Sequence, residues 1–402
     1  RHTRYIRDWS SDVCSSDLFG AGFQKFLLDH FKIIAIIDNQ KTRSFETASI
    51  NTIILIIEKC SNKQEREKNN ARFVRIYSDY EKLIGSTSDN DRIENVIEFT
   101  HKIEQTTKSR KTKHYTVNVI NQKELENDTT FKGKYENGHW GAKYLRSPEV
   151  FTEIIEKGGD KLIPLQSVVD VKYGIKTGAN DFFYVIDETE KVKSMAVEEF
   201  RLLFGINKPT HSAFWEKFGW YYSEMNNRHY LLERFYTKPL FKTQKEAKNL
   251  DANLKNLKYR VIICPDTKNK LSKFRNKILK YIEHAESLDL HTGVTVANRN
   301  IWYDLTSDAY LGDFIFPSKI GEKYRLIDNR TTQVYCDKVN YVIEIKDEYK
   351  KYADIIFLTL NSQTFRYFVD LFSRQLTGNQ TLSDVDVNVV EKTLIINPKL
   401  LL

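Results

Sequence analysis

The chain has 402 residues, 41% of them hydrophobic and 13% aromatic, which exceeds one typical domain of about 100–200 residues and supplies enough apolar mass for two cores. Lys plus Arg number 62 against 54 Asp plus Glu, a formal charge of +8, compatible with a polyanionic partner without demanding one. No apolar run approaches the roughly 18 residues of a membrane span, and beyond Cys14 the cysteines Cys60, Cys264 and Cys336 have neither paired nor zinc-ligand spacing, which excludes a disulfide scaffold and points to a reducing cytoplasm.

Residues 1–18, RHTRYIRDWSSDVCSSDL, show no apolar period and no signal-peptide core. They resemble the conceptual translation of a short-read sequencing adapter, and the expectation is a scar that lies outside the natural protein and joins it to a C-terminal fragment. From Phe19 the pattern changes. GFQKFLLDHF sets Phe23, Phe26, Leu27 and Phe31 on one face of a helix. KIIAIID and INTIILIIEK are continuous rather than alternating, which predicts strands buried on both faces of an α/β sheet. The charged stretch from Glu58 to Arg72 reads as a solvated loop. RFVRIY reads as a strand, and DRIENVIEFTHKI as a helix with an Asp91/Glu94 capping pair and Ile93, Val96 and Ile97 on one side. The basic run KSRKTKHY reads as a loop or linker.

The texture shifts near residue 130, where short strands and isolated aromatics begin, so a domain boundary is expected there. VVDVKY, DFFYVID, YRVIICP and YVIEI read as strands, and SQTFRYFVDLFSRQL as a helix burying Phe365, Phe368, Val369 and Phe372. Three polar loops interrupt this pattern. In VKYGIKTGANDFFYV, Gly174 and Gly178 bracket a turn carrying Lys176 and Thr177, with Lys172 before it and Asn180 after it. Glycines admit close backbone approach to a phosphate, and Lys and Asn supply donors. The GxxxxGK[ST] spacing of a nucleotide-binding loop is absent. GVTVANRNIWYDL brings Arg299 near Trp302 and Tyr303, a pairing suited to a guanine edge or a phosphate. The third follows the helix: Arg374, then a turn carrying Asn379 and Gln380.

FGAGFQKFLLDHFKIIAIIDNQKTRSFETASINTIILIIEK, with Phe45 and Asn51-Thr52, resembles the closing part of the catalytic domain of gamma-class adenine-specific DNA methyltransferases of type II restriction-modification systems. KYLRSP followed by GIKTGANDFF is similar to the start of their target recognition domain. The stretch around Arg299, Trp302 and Tyr303, and the tail from Leu360 to Pro398, are similar to its later parts and to type I specificity subunits. The resemblance implies an α/β fold in which residues 19–130 are the C-terminal remnant of a Rossmann-like methyltransferase sheet and 131–402 an α+β recognition domain. It implies double-stranded DNA as partner, held through Lys172, Lys176, Thr177, Asn180, Arg299, Trp302, Arg374, Asn379 and Gln380. For the intact parent it implies adenine methylation from S-adenosylmethionine by a catalytic domain missing from this chain. The cofactor turn and the Asn/Asp-Pro-Pro-Tyr/Phe motif are not found, and the chain has no Pro-Pro pair. The fragment is therefore expected to bind no cofactor or metal and to be inactive alone. The alternative is a type I specificity subunit, a DNA-binding module without catalysis. Pro265-Asp266 with Glu344-Ile345-Lys346 outlines a third reading, a nuclease, disfavoured by the long gap between them.

Overall fold

The computed structural model describes residues 20–39, 53–85, 88–127, 130–131, 134–135, 140–147, 149–321, 324–375 and 383–401. Residues 1–18, Phe45 and Asn51-Thr52 lie outside these. The chain divides into two compact units, one drawn from Arg1–Leu165, Ile320–Lys323 and Ser362–Leu402, the other from Gln166–Lys319 and Tyr324–Asn361. The change of texture near residue 130 falls inside the first unit. That unit extends to 165 because the strand Leu162–Pro164 pairs antiparallel with Leu394–Ile396. No described helix is long and apolar enough to cross a membrane.

The first unit is built on a five-stranded mixed sheet. Its strands are β1 (Phe31–Asn39), β2 (Ile53–Lys59), β3 (Asn70–Ile76), β4 (Arg110–Lys111) and β5 (Tyr115–Asn121), in the order β2-β1-β3-β5-β4. Only β1 and β3 run parallel. Leu27 and Leu28 of the helix Gly20–His30 cover one sheet face with Ile33, Ile36, Phe73, Trp140 and Leu145. Ile103 and Phe99 of the helix Asp89–Glu104 cover the other with Ala35, Val74, Ile76 and Val117. This layering of helices on both faces is the α/β class that the continuous apolar strands predict.

Four local expectations are corrected. Phe31 begins β1 rather than closing the helix, and Phe26 is 49% exposed while Gln24 is fully buried. β2 is an edge strand with one neighbour, so Ile54 stays 51% exposed and the strand is not buried on both faces. The charged stretch contains a helix, Lys63–Lys68, because the Asn62 side chain accepts from the amides of Gln64 and Glu65 and satisfies its free N–H groups. The helix Asp89–Glu104 is capped by Ser88, not by an Asp91/Glu94 pair, and Ile93, Val96 and Ile97 face outward. Elsewhere in this unit the helix Gln363–Phe372 buries Phe365, Phe368 and Val369. Phe368 meets Phe151 edge to face at 5.2 Å.

The second unit has a six-stranded sheet in the order 228–233, 218–223, 184–187, 259–262, 237–241 and 335–336, antiparallel except for its last pair. A separate four-stranded antiparallel sheet has the order 327–328, 314–317, 340–345 and 169–173. The helix Ile278–Ser287 packs on the larger sheet through Tyr281 and Ile282, and Tyr281 stacks on Phe182 at 5.0 Å. Glu233 fixes the start of that helix by accepting from the amides of Lys277 at 2.6 Å and Ile278 at 3.1 Å.

Cys264 and Cys336 are sealed in this unit, at 0% and 1% exposure. Burial pushes the Cys264 thiol up to about 12 and raises that of Cys336 as well. Brief iodoacetamide treatment of the native chain at pH 8 is expected to leave both unmodified, and the same treatment in denaturant to label both. Peptide mass spectrometry reads the difference; rapid native labelling at either position contradicts this packing.

Candidate nucleic-acid interface

The glycine-bracketed loop leaves the strand Val169–Tyr173 at its C-terminal end. Gly174 donates its amide to the Asn340 carbonyl at 2.9 Å. A Cβ there would lie 2.4 Å from the Asp337 carbonyl oxygen and 2.7 Å from that of Cys336, so only glycine fits the approach. Ile175 then forms a parallel bridge with Asp337, its amide donating to Cys336 at 2.7 Å and its carbonyl accepting from the Lys338 amide at 3.1 Å. Lys176 is exposed, Thr177 buried and Asn180 exposed. The Thr177 hydroxyl donates to the Asn180 side-chain oxygen and accepts from the Ala179 amide at 3.2 Å, closing a local turn. Gly178 has φ +79°, and a Cβ on it would sit 2.5 Å from that of Thr295. The 174–180 loop and the 293–300 turn are therefore in direct contact.

Arg299 joins these two segments. Its Nε and Nη2 donate to Asp308 at 3.1 and 2.9 Å. Nη1 reaches the Thr177 carbonyl at 2.7 Å, and Nη2 also reaches the Lys176 carbonyl at 2.8 Å. The guanidinium lies 5.6 Å from the Phe183 ring centroid, and the side chain is 11% exposed. These four bonds occupy most of its five N–H donors. The fork that would read a guanine edge is thus already filled, and Arg299 positions the loop instead.

Trp302 is likewise built into the unit. Its ring packs 4.7 Å from that of Phe182, and its Nε1 donates to Glu286 at 2.9 Å, which leaves it half-buried against the core. Lys172 pairs with Glu344 at 3.1 Å and lies over the Tyr310 ring at 4.8 Å. Lys172, Lys176, Thr177, Asn180, Arg299 and Trp302 all belong to the second unit. Arg374 belongs to the first, in the short strand Arg374–Gln375; Asn379 and Gln380 lie outside the described residues.

Beneath the loop, Tyr184 donates its hydroxyl to the Asp337 carboxylate at 2.6 Å, and the same carboxylate accepts from the Val339 amide at 2.9 Å. Asp337 is 5% exposed, and burial with this partner raises the Tyr184 phenol well above its ordinary value. Sequence reading singled out neither Asp308, Tyr184, Asp337 nor Lys338. Nothing in their spacing marks them, because Asp337 and Lys338 reach the loop from about 160 residues further along the chain.

The residues of the nuclease reading are engaged separately. Asp266 accepts from Tyr236 at 2.6 Å and from Lys270 at 2.5 Å, and those partners hold its carboxyl below the usual range. Glu344 stands opposite Asp170 across the sheet and pairs with Lys172. Among the described residues no group of three or more His, Cys, Asp or Glu is arranged to hold a metal ion.

Residues 240–378 match the family model described as the C-terminal domain of the type II methyltransferase M.Eco57I. No curated protein matches the chain. Two solved structures are similar over 96% of it. The type IIG restriction endonuclease BpuSI has 11% identity, TM-score 0.38 and 39% of its own length covered. The type IIL restriction-modification enzyme MmeI, solved in complex with DNA, has 10% identity, TM-score 0.43 and 38% of its length covered. The chain thus spans about two fifths of the length of these enzymes. Its region from 240 to 378 is thus similar to the C-terminal domain of a type II methyltransferase.

Proposed function

We propose that this chain supplies the DNA-gripping part of a site-specific adenine methyltransferase of a restriction-modification system. The observation that carries the reading is the family match over 240–378, which contains the Arg299 clamp, Asp308 and the Asp337–Lys338 arm of the loop assembly. In this reading residues 19–130 belong to the closing part of the catalytic domain and 131–402 to target recognition. An exocyclic amine inside a duplex is out of reach of a methyl donor, so the target base has to leave the stack while another surface holds the DNA. The 174–180 loop suits that task, because its backbone is pinned from three sides while Lys176 and Asn180 project from it. S-adenosylmethionine would supply the methyl group in the intact parent. The glycine turn and Pro-Pro motif that would hold cofactor and base are not in these 402 residues, so no catalytic step is assigned to the residues present.

The test is duplex binding by the full chain across a salt series. Lys176→Ala weakens all sequences alike and lowers the slope of log K against log salt by about one unit. Unchanged binding and slope would remove the loop from the interface. A loss confined to one sequence would make Lys176 a base reader instead.

A further inference from the structure

The parallel bridge at Ile175 and Asp337 has a consequence on its outer side. Ile175 and Asp337 are 1% and 5% exposed, whereas the residues that follow them, Lys176 and Lys338, are both exposed. The Lys338 amide donates to the carbonyl that precedes Lys176, so the two residues leave the bridge side by side. Neither makes an ion pair with any described residue. The carboxylate next to Lys338 in sequence, Asp337, is turned inward onto Tyr184 and the Val339 amide. Arg299, whose guanidinium touches the Lys176 carbonyl, is neutralised by Asp308. Like charges brought to one edge repel. The bridge that brings the two residues there is fixed by the Gly174 approach, the buried Tyr184–Asp337 bond and the Arg299 clamp.

We infer that Lys176 and Lys338 form a two-ammonium clamp for a single backbone phosphate of duplex DNA, with Lys338 as the second half of the grip. The inference rests on the DNA-binding reading above and adds a residue that the loop sequence does not contain. A phosphate between the two ammonium groups turns their mutual repulsion into two charge-assisted hydrogen bonds. The contact carries no sequence information and fixes only the register of the protein on the duplex.

The full chain is titrated with a mixed-sequence 30-base-pair duplex by fluorescence anisotropy at several salt concentrations, as the unaltered protein and as Lys176→Gln, Lys338→Gln and the double variant. Lys338→Gln is expected to lower affinity about five- to tenfold at 0.1 M salt on every sequence and to reduce the slope by about 0.9. Because both lysines hold one phosphate, the double variant falls little further than either single one. In the absence of DNA each single variant melts about a degree higher, since one of two repelling charges is gone. That opposite sign separates a phosphate grip from a structural role, which would lower both. Lys338→Gln binding like the unaltered chain, or fully additive losses, overturns the shared clamp and leaves the DNA reading standing. Failure of the unaltered chain to bind any duplex at low salt overturns the DNA reading itself. Inorganic phosphate that competes with the duplex at constant ionic strength assigns the pair to a free anion and overturns its role on DNA.

Discussion

Arg299→Ala is expected to destabilise the second unit by about 2–3 kcal/mol and to weaken duplex binding on every sequence by a similar factor. The guanidinium holds three groups at once: the Asp308 carboxylate and the carbonyls of Lys176 and Thr177. Truncation strands a carboxylate that is 40% exposed, which water can partly rescue, so the cost stays below that of breaking a fully buried ion pair. The Thr177 carbonyl fares worse, because that residue is buried, whereas the exposed Lys176 carbonyl can turn to water. The loop then loses its tie to the 293–300 turn, and Lys176 with it. Arg299→Lys keeps the charge toward Asp308 but cannot span both carbonyls with one ammonium, so it falls between the two. Guanidinium denaturation read with anisotropy on cognate and scrambled duplexes checks both arms. A stability change within about 0.5 kcal/mol, or an affinity loss seen on one sequence only, would return Arg299 to the role of a base reader.

Tyr184→Phe is expected to cost about 2 kcal/mol and to loosen the same loop from below. The hydroxyl is the side-chain donor to a carboxylate that is 5% exposed, and its loss leaves Asp337 with the Val339 amide. A buried acceptor that loses its donor bears the full desolvation penalty, whereas the ring itself still packs. The bridge at Ile175 depends on where Asp337 sits, so amide exchange at Ile175 and Lys338 should accelerate more than at the strand 259–262. Asp337→Asn keeps an acceptor for the hydroxyl and is the milder change. Equal stability of Tyr184→Phe and the unaltered chain, with unchanged exchange at Ile175, would mean that the glycine approach and the Arg299 clamp hold the loop without it.

The elements that were legible in the sequence share one property: their burial follows from their own periodicity. The helix Gln363–Phe372 buries Phe365, Phe368 and Val369, as the spacing demands, and β1 takes up a central position because its run KIIAII leaves no wholly polar face to expose. The helix Asp89–Glu104 shows the limit of that rule. Its Ile93, Val96 and Ile97 form a real stripe, yet the sheet face it covers meets only Phe99 and Ile103, so the stripe remains outside. Periodicity states which residues can share a face; the width of the partner surface states which of them are covered.

The candidate site divides in the same way. Sequence by itself determined the glycine-bracketed turn and its exposed Lys176, because a Gly-Ile-Lys-Thr-Gly stretch between strand-forming runs has few other conformations open to it. It placed Arg299 beside Trp302 and Tyr303, whereas the ring its guanidinium meets in the fold is that of Phe183. Only the tertiary structure decided what each cation is for. Arg299 meets two carbonyls more than 120 residues away and is used up as a clamp, while Lys338 is brought beside Lys176 by a bridge between segments about 160 residues apart and keeps its charge free. The physical reason is that an ionisable side chain carries the same charge wherever it stands. Whether that charge binds a ligand depends on which carbonyls and carboxylates the fold brings within hydrogen-bond reach, and those contacts have no period in the sequence.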